Sequence, residues 1–260
     1  MSNTVLLCPP TFFDVTYSIN PWMKNEKVNK PKATEQWWKM TNTLDSLGVK
    51  TRFIGQFPHL PDMVFTANAG TVLDKKVVLS NFKHKERILE QGIFKSWFEK
   101  NGYETLKLPE STHFEGCGDT IISGKRLIAG YGFRTKLKAL KLTAEILDLE
   151  LTPLKLINPN FYHLDTCFSL LRDDLAIYYP AAFSKYTISK LKDIQMLPVS
   201  EAEANKFACN SIVYKNNVLM PAGNEALAAK LEDKGFKVFL LDTSEFLKSG
   251  GSLQCLALWI

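Results

Sequence analysis

The chain has 260 residues, of which 45% are hydrophobic and 23% charged, enough apolar material to bury a sizeable core within the range of one domain, taken as residues 1–260. Its formal charge of +5 comes from 32 basic and 27 acidic residues spread along the length, without the Lys/Arg block that would mark a nucleic-acid or polybasic membrane face. The five cysteines, at 8, 117, 167, 209 and 255, have neither the parity of a disulfide framework nor CxxC metal spacing, which points to a reducing cytoplasm.

Taken in chain order, Thr4-Val-Leu-Leu-Cys8 is the first expected strand. The N-terminal stretch has no basic n-region, and Pro9 and Pro10 break its apolar run, so no secretory signal is expected. No later stretch reaches the roughly 20 apolar residues that span a bilayer. Thr66 to Leu73 and Val77 to Ser80 read as two strands around an Asp74-Lys-Lys turn. Lys85 to Lys100 reads as a helix with Ile88, Ile93, Trp97 and Phe98 on its apolar stripe, and Tyr103 to Leu108 as an extended run after it. The pattern recurs. Glu115 to Ile122 turns through Ser123-Gly-Lys-Arg into Leu127 to Gly130, before a helix over Lys136 to Leu147. Asp165 to Leu171 turns through Arg172-Asp-Asp into Leu175 to Tyr179. Cys209 to Tyr214 turns through Lys215-Asn-Asn into Val218 to Pro221, followed by a helix over Glu225 to Lys234 and a strand over Lys237 to Asp242. Ser252 to Leu258 begins a last copy that Thr4 to Cys8 is placed to complete. Repetition at this period predicts an α/β fold, a fivefold ring of ββαβ units in a propeller-like arrangement, with the starts of equivalent strands converging on the centre.

The residues just before or at the first strand of each unit include Asn68, Glu115, His163 with Asp165, and Cys255. A thiol, an imidazole, two carboxylates and a carboxamide at equivalent places form a set suited to thiol nucleophilic catalysis. Cys8, Cys117, Cys167 and Cys209 read as core packing. Cys255 differs because Ser249-Gly-Gly-Ser precedes it, and glycines there let the backbone approach a ligand closely. His59 and His84 read as surface residues. His113 is a rival base to His163, which alternation would place on one strand face with Asp165.

Phe114-Glu-Gly-Cys-Gly-Asp119, His163-Leu-Asp-Thr166 and Gly250-Gly-Ser-Leu-Gln-Cys255 together resemble the three signatures of the guanidine-modifying superfamily called penteins, in the right order and over essentially the whole chain. Thr66-Ala-Asn-Ala-Gly70, Phe13-Asp-Val15 and Ile19-Asn-Pro-Trp-Met23 look most like its arginine dihydrolase branch. The resemblance implies a catalytic Cys255 that attacks a guanidinium carbon, a His163 that moves the leaving-group proton, and a Glu115 that orients the imidazole. It implies substrate binding by Asp165, through paired hydrogen bonds to the guanidinium, and by Asn68 where arginine deiminases place a second Asp. Arg87 and Arg134 match arginines that hold the substrate carboxylate, and Asn20 matches a residue of the entrance loop. On its own, Arg87 reads as a solvated helix-start residue and Asn20 as a turn residue before Pro21. Asp119 reads as structural.

The expected reaction is arginine to ornithine, ammonia and carbon dioxide, with no metal or organic cofactor. The alternatives are a deiminase or dimethylarginine dimethylaminohydrolase that yields citrulline, an amidinotransferase, and a non-catalytic binding protein of the same fold. The expected partner is a small-molecule substrate, with no nucleic acid and no membrane, and a homo-oligomer remains open.

Overall fold

The computed structural model describes residues 3–24 and 26–260, so Met1, Ser2 and Asn25 lie outside the described residues. The chain runs β1 (Thr4–Leu7), α1 (Lys30–Ser46) and β2 (Lys50–Phe53), then β3 (Gly70–Leu73), β4 (Lys76–Leu79), α2 (Ile88–Lys100) and β5 (Glu104–Leu106). Next come β6 (Thr120–Ser123), β7 (Arg126–Tyr131), α3 (Leu137–Ile146) and β8 (Glu150–Lys155), followed by β9 (Phe168–Arg172), β10 (Leu175–Tyr178), α4 (Lys185–Ile188) and β11 (Gln195–Pro198). After α5 (Glu201–Asn205) the chain continues through β12 (Ile212–Tyr214), β13 (Asn217–Pro221), α6 (Glu225–Glu232), β14 (Lys237–Leu241), α7 (Ser244–Leu247) and β15 (Leu258–Trp259).

These strands form five three-stranded sheets, ordered β15-β1-β2, β3-β4-β5, β6-β7-β8, β9-β10-β11 and β12-β13-β14. In each sheet the first two strands pair antiparallel and the second pairs parallel with the third. A parallel partner requires a crossover, and a helical segment supplies it in every unit. The first unit is split between the chain ends, with Val5 opposite Trp259 and Leu6 opposite Leu258. The expected fivefold arrangement of ββαβ units is therefore present, as five separate sheets.

Packing between neighbouring units holds the ring together. Val5, Leu7 and Trp37 of the first unit bury against Ile212, Leu219 and Leu241 of the fifth. Leu6 and Leu258 meet Val77, Phe94 and Phe98 of the second. Val78 of the second meets Leu127 and Leu140 of the third, and Ile128 and Leu154 of the third join Phe168, Ile177 and Met220. Helix α1, which sequence reading did not single out, obeys the same logic. Asn29 caps it by accepting from the Lys32 N–H, Pro31 sits in its first turn, and Ala33, Trp37, Met40 and Leu44 share its buried stripe at helical spacing. In α2 the buried positions are Glu90, Phe94 and Phe98, four residues apart. Ile88, expected on that stripe, is instead 48% exposed, because the inward turn at that end carries Glu90.

All five first strands begin later than the sequence pattern suggested, at Gly70, Thr120, Phe168, Ile212 and Leu258. Thr66–Ala69, Gly116–Gly118 and Leu164–Thr166 are single 3-10 turns that precede β3, β6 and β9. His163 and Asp165 therefore do not alternate along one strand; His163 is extended (φ −120°, ψ 155°) and Asp165 lies within the turn after it. Likewise β15 is confined to Leu258–Trp259, so Cys255 precedes the strand. The turns pack on one another at the hub. Gly116 has φ +58°, and a Cβ there would stand 2.7 Å from the Gly70 backbone nitrogen. Replacing Gly116 with alanine should cost about 2 kcal/mol or more from the left-handed backbone and the collision together. A thermal melt checks this, and an unchanged Tm would contradict the turn-on-turn packing.

Candidate active site

The hub turns face a small, tightly filled cavity lined by Ile19, Asn20, Asp62, Phe65, Asn68, Arg87, Arg134, Tyr162, His163, Ser249–Gly251 and Cys255. Six of the eight site residues expected from sequence line it directly: Cys255, His163, Asn68, Arg87, Arg134 and Asn20. The other two, Glu115 and Asp165, are buried one layer behind and hydrogen-bonded to His163 and Cys255. His113, the rival base, is not among the lining residues.

Glu115 is fully buried, and its Oε2 sits 2.8 Å from His163 Nε2 and 2.9 Å from Arg134 NH1. Burial alone would raise this carboxyl. Arg134, the hydrogen bond and charge of His163, and Arg87 outweigh it and hold the group well below the usual carboxylate range. An ionised carboxylate only accepts, so Nε2–H donates to it and Nδ1 is left to exchange a proton. Gly118 is small for a related reason: a Cβ there would lie 2.3 Å from Asn68 Nδ2 and 3.2 Å from His163 Nδ1. Asp119 anchors the same turn by accepting the Leu164 N–H at 3.0 Å. Burial raises its carboxyl to about 6.

Cys255 Sγ donates to Asp165 Oδ2 at 3.1 Å. Burial pushes the thiol well above its ordinary value, and the Asp165 carboxylate adds to the effect. Burial also raises Asp165 to about 7, against hydrogen bonds from Cys255 and Asn210. The second oxygen of Asp165, Oδ1, is buried with no hydrogen-bond partner among the described residues. A buried carboxylate oxygen without a donor is costly, and a ligand N–H is the natural complement.

Arg87 and Arg134 are both almost fully buried, which overturns the solvated reading of Arg87. Arg87 makes a forked pair with Glu90 at 2.9 and 2.8 Å and donates to Asn68 Oδ1 at 2.9 Å. Burial raises Glu90 to about 7 despite that pairing. Asn68 Nδ2 donates to the Glu115 carbonyl at 3.1 Å, so its carboxamide bridges Arg87 and the Glu115 turn. Arg134 also donates to the Ile19 carbonyl at 2.9 Å and lies over the Tyr162 ring. Asn20 donates to the Ser249 carbonyl at 3.0 Å and to Tyr162 Oη at 3.3 Å, while Tyr162 donates to the Gly250 carbonyl at 2.7 Å. The segment 19–20 is thereby tied to the loop that carries the thiol. Gly250 (φ +78°) has no room for a side chain, since a Cβ would meet Asn20 Oδ1 at 2.8 Å.

Sequence reasoning missed Asp62, Tyr162, Ser249 and Asn210. Asn210 had a signal, since it stands before β12 where the other units place Asn68, Glu115 and His163. Asp62 had none. It is buried, accepts from Ser249 Oγ at 3.1 Å and lines the cavity. Among the described residues no group of three or more His, Cys, Asp or Glu is arranged as a metal site, and no helix is long and apolar enough to cross a membrane.

Five ββαβ units whose chemistry gathers at the hub, with a thiol set against an imidazole and carboxylates, define a pentein of the guanidine-modifying kind. The chain belongs to the dimethylarginine dimethylhydrolase family: the family model described as N,N dimethylarginine dimethylhydrolase, eukaryotic, matches residues 14–260. It is 42% identical over 263 residues, 98% of this chain, to the bifunctional arginine dihydrolase/ornithine cyclodeaminase ArgZ of Synechocystis sp., and 43% identical over 262 residues to AgrE of Nostoc sp.. It spans 37% of the length of each of those two proteins. It is 38% identical to the dimethylarginine dimethylaminohydrolase of Mycobacterium tuberculosis, over 98% of this chain and 84% of that protein. Among solved structures, the N-terminal domain of ArgZ, a cysteine-to-serine mutant bound to substrate, superimposes with TM-score 0.95 at 41% identity and covers 98% of this chain and 97% of that one. The chain is thus a member of a family of hydrolases that act on guanidino C–N bonds.

The raised thiol generates a prediction. At pH 7, 2-chloroacetamide should modify Cys255 more slowly than it modifies glutathione, with the rate climbing toward tenfold per pH unit. The cationic analogue 2-chloroacetamidine, which neutralises Asp165, should reverse that order after the same normalisation, by about tenfold or more. Equal normalised rates for the two reagents would contradict the thiol–carboxylate pairing.

Proposed function

We propose that this chain forms one catalytic unit that hydrolyses arginine at its guanidinium carbon through a covalent adduct on Cys255, carrying it to ornithine, two ammonia and carbon dioxide. The observation that carries this reading is the buried Asp165, with one oxygen on the nucleophile's hydrogen and the other unmatched. A planar guanidinium offers two parallel N–H donors to such a carboxylate and sets its carbon beside Sγ. Its positive charge also offsets Asp165, so the thiol passes its proton to His163 as substrate binds. The thiolate attacks the carbon, His163 gives a proton to the departing ammonia, and a thiouronium adduct remains. Water, deprotonated by His163, adds to the same carbon, and loss of the thiolate gives citrulline. A second round on the ureido carbon releases ammonia and a carbamate that decays to ornithine and carbon dioxide.

Arg87 and Arg134 are the cations available to the substrate carboxylate, and Asp62 is an anion available to its ammonium. Asn68 supports the second round. A second carboxylate in its place would favour a cation, whereas its neutral carboxamide, already joined to Arg87 and the Glu115 carbonyl, leaves room for an uncharged ureido group. Likeness to ArgZ and AgrE supports the same choice. The family model and the Mycobacterium tuberculosis relative support a second reading, hydrolysis of dimethylarginine to citrulline and dimethylamine. Five free cysteines suit a cytoplasmic setting.

Incubation with arginine should yield ornithine and two ammonia per arginine, whereas turnover of dimethylarginine alone would favour the second reading. Cys255→Ser should abolish turnover while leaving arginine binding measurable by calorimetry, and residual full activity would defeat the mechanism. Asn68→Asp should shift the products toward citrulline, and an unchanged ornithine fraction would remove Asn68 from the argument. Because Asp165 must be ionised to pair with a guanidinium and its carboxyl stands near 7, kcat/KM should fall toward tenfold per pH unit as pH drops below about 7. A profile flat down to pH 5 would contradict this.

A further inference from the structure

Asn210 occupies the hub position of the fifth unit, immediately before β12, and no step above uses it. It is completely buried. Its Oδ1 accepts the Cys255 backbone N–H at 3.2 Å, while its Nδ2 donates to the Asp165 carbonyl at 3.0 Å and to Cys255 Sγ at 3.1 Å. Its own carbonyl accepts from the Gln254 N–H at 3.2 Å. These partners fix which way the carboxamide points. A half-turn would set its NH₂ against the Cys255 N–H and its oxygen against the Asp165 carbonyl, opposing like groups in a buried site.

We propose that Asn210 is a catalytic residue, whose Nδ2–H donates to the Cys255 sulfur as it becomes a thiolate while Oδ1 fixes the nucleophile's backbone. The inference rests on the reading of Cys255 as nucleophile and deepens it. A thiolate 3.1 Å from the Asp165 carboxylate is opposed by burial and by like charge, so it requires a directed donor. The titratable partner of the sulfur is Asp165, an anion, and beside Asn210 the Ser252 backbone N–H is the other donor to it, so no permanent cation is paired with the sulfur. An Arg or Lys in place of Asn210 would also stabilise the thiolate, but it would repel the incoming guanidinium. An uncharged amide N–H stabilises the sulfur without that penalty. The same donor acts a second time, when the thiouronium adduct collapses and the C–S bond electrons return to sulfur.

Asn210→Asp is nearly isosteric; it keeps an acceptor for the Cys255 N–H and replaces the donor facing Sγ by an oxygen. Asn210→Ala removes both. For wild type and both variants, the rate of Cys255 alkylation by 2-chloroacetamide would be followed from pH 6 to 10 beside arginine kcat and KM, with thermal melts to establish folding. The expected result is alkylation about tenfold slower or more at a fixed pH below the thiol's titration, with the curve displaced to higher pH, and kcat about tenfold lower or more with KM within about threefold. Wild-type titration curves and wild-type kcat in either folded variant would overturn the inference while leaving Cys255 as the nucleophile. Undiminished turnover by Cys255→Ser would overturn the nucleophile reading and this inference with it.

Discussion

Cys255 Sγ and Asp165 Oδ2 stand 3.1 Å apart in a site from which water is nearly excluded. One proton lies between two groups that cannot both carry negative charge at that distance without a cation. The rest of the site follows from this contact. Because the carboxylate holds the thiol neutral, the resting protein does not present a reactive thiolate to whatever enters. A planar cation that satisfies the unmatched Asp165 oxygen also removes the obstacle to ionisation. On the proposed reading, recognition of the arginine guanidinium and activation of Cys255 are then one electrostatic event.

The fold makes this contact affordable by distributing its parts among separate units. Asn68, Glu115, His163 with Asp165, Asn210 and Cys255 come from five units, each handed to the hub by the segment before a first strand. A 3-10 turn or tight loop there aims a side chain across the ring, which a continuous strand would not do. The charges are then matched in layers. Arg134 and His163 hold Glu115 ionised, and Glu90 neutralises Arg87. Asp165 keeps Oδ1 unmatched beside the Cys255 thiol. Inter-unit apolar clusters fix the relative positions of the five contributors, so the geometry of the site is set by packing between units more than within any one of them.

Much of this was legible in the sequence because the repeat states it several times. Hairpin turns and strand patterns recur, and the chemistry-bearing residues fall at the same place in each copy, so the ring and the cavity-lining Asn68, His163 and Cys255 are legible in the repeat, whereas Arg87, Arg134 and Asn20 are marked only by the family resemblance. The failures have physical reasons. The two-residue period of a strand does not hold for His163 and Asp165, because a 3-10 turn intervenes. Ile88 looked like core because apolar spacing does not reveal that Glu90 must turn inward to neutralise Arg87. Arg87 looked solvated because its burial depends on that partner. Asn210 is inconspicuous in the sequence because a carboxamide before a strand resembles an ordinary turn residue. Asp62, Tyr162 and Ser249 reach the cavity from loops whose positions only tertiary packing sets.

The central claim is that Cys255 carries the substrate's guanidinium carbon during turnover. The direct measurement is acid quench of the protein within milliseconds to seconds of mixing with arginine, followed by peptide mass spectrometry. The account predicts a transient species on the Cys255 peptide with the mass of arginine less ammonia, present only while substrate remains. Turnover without modification of that peptide, or with the adduct on another cysteine, would contradict it.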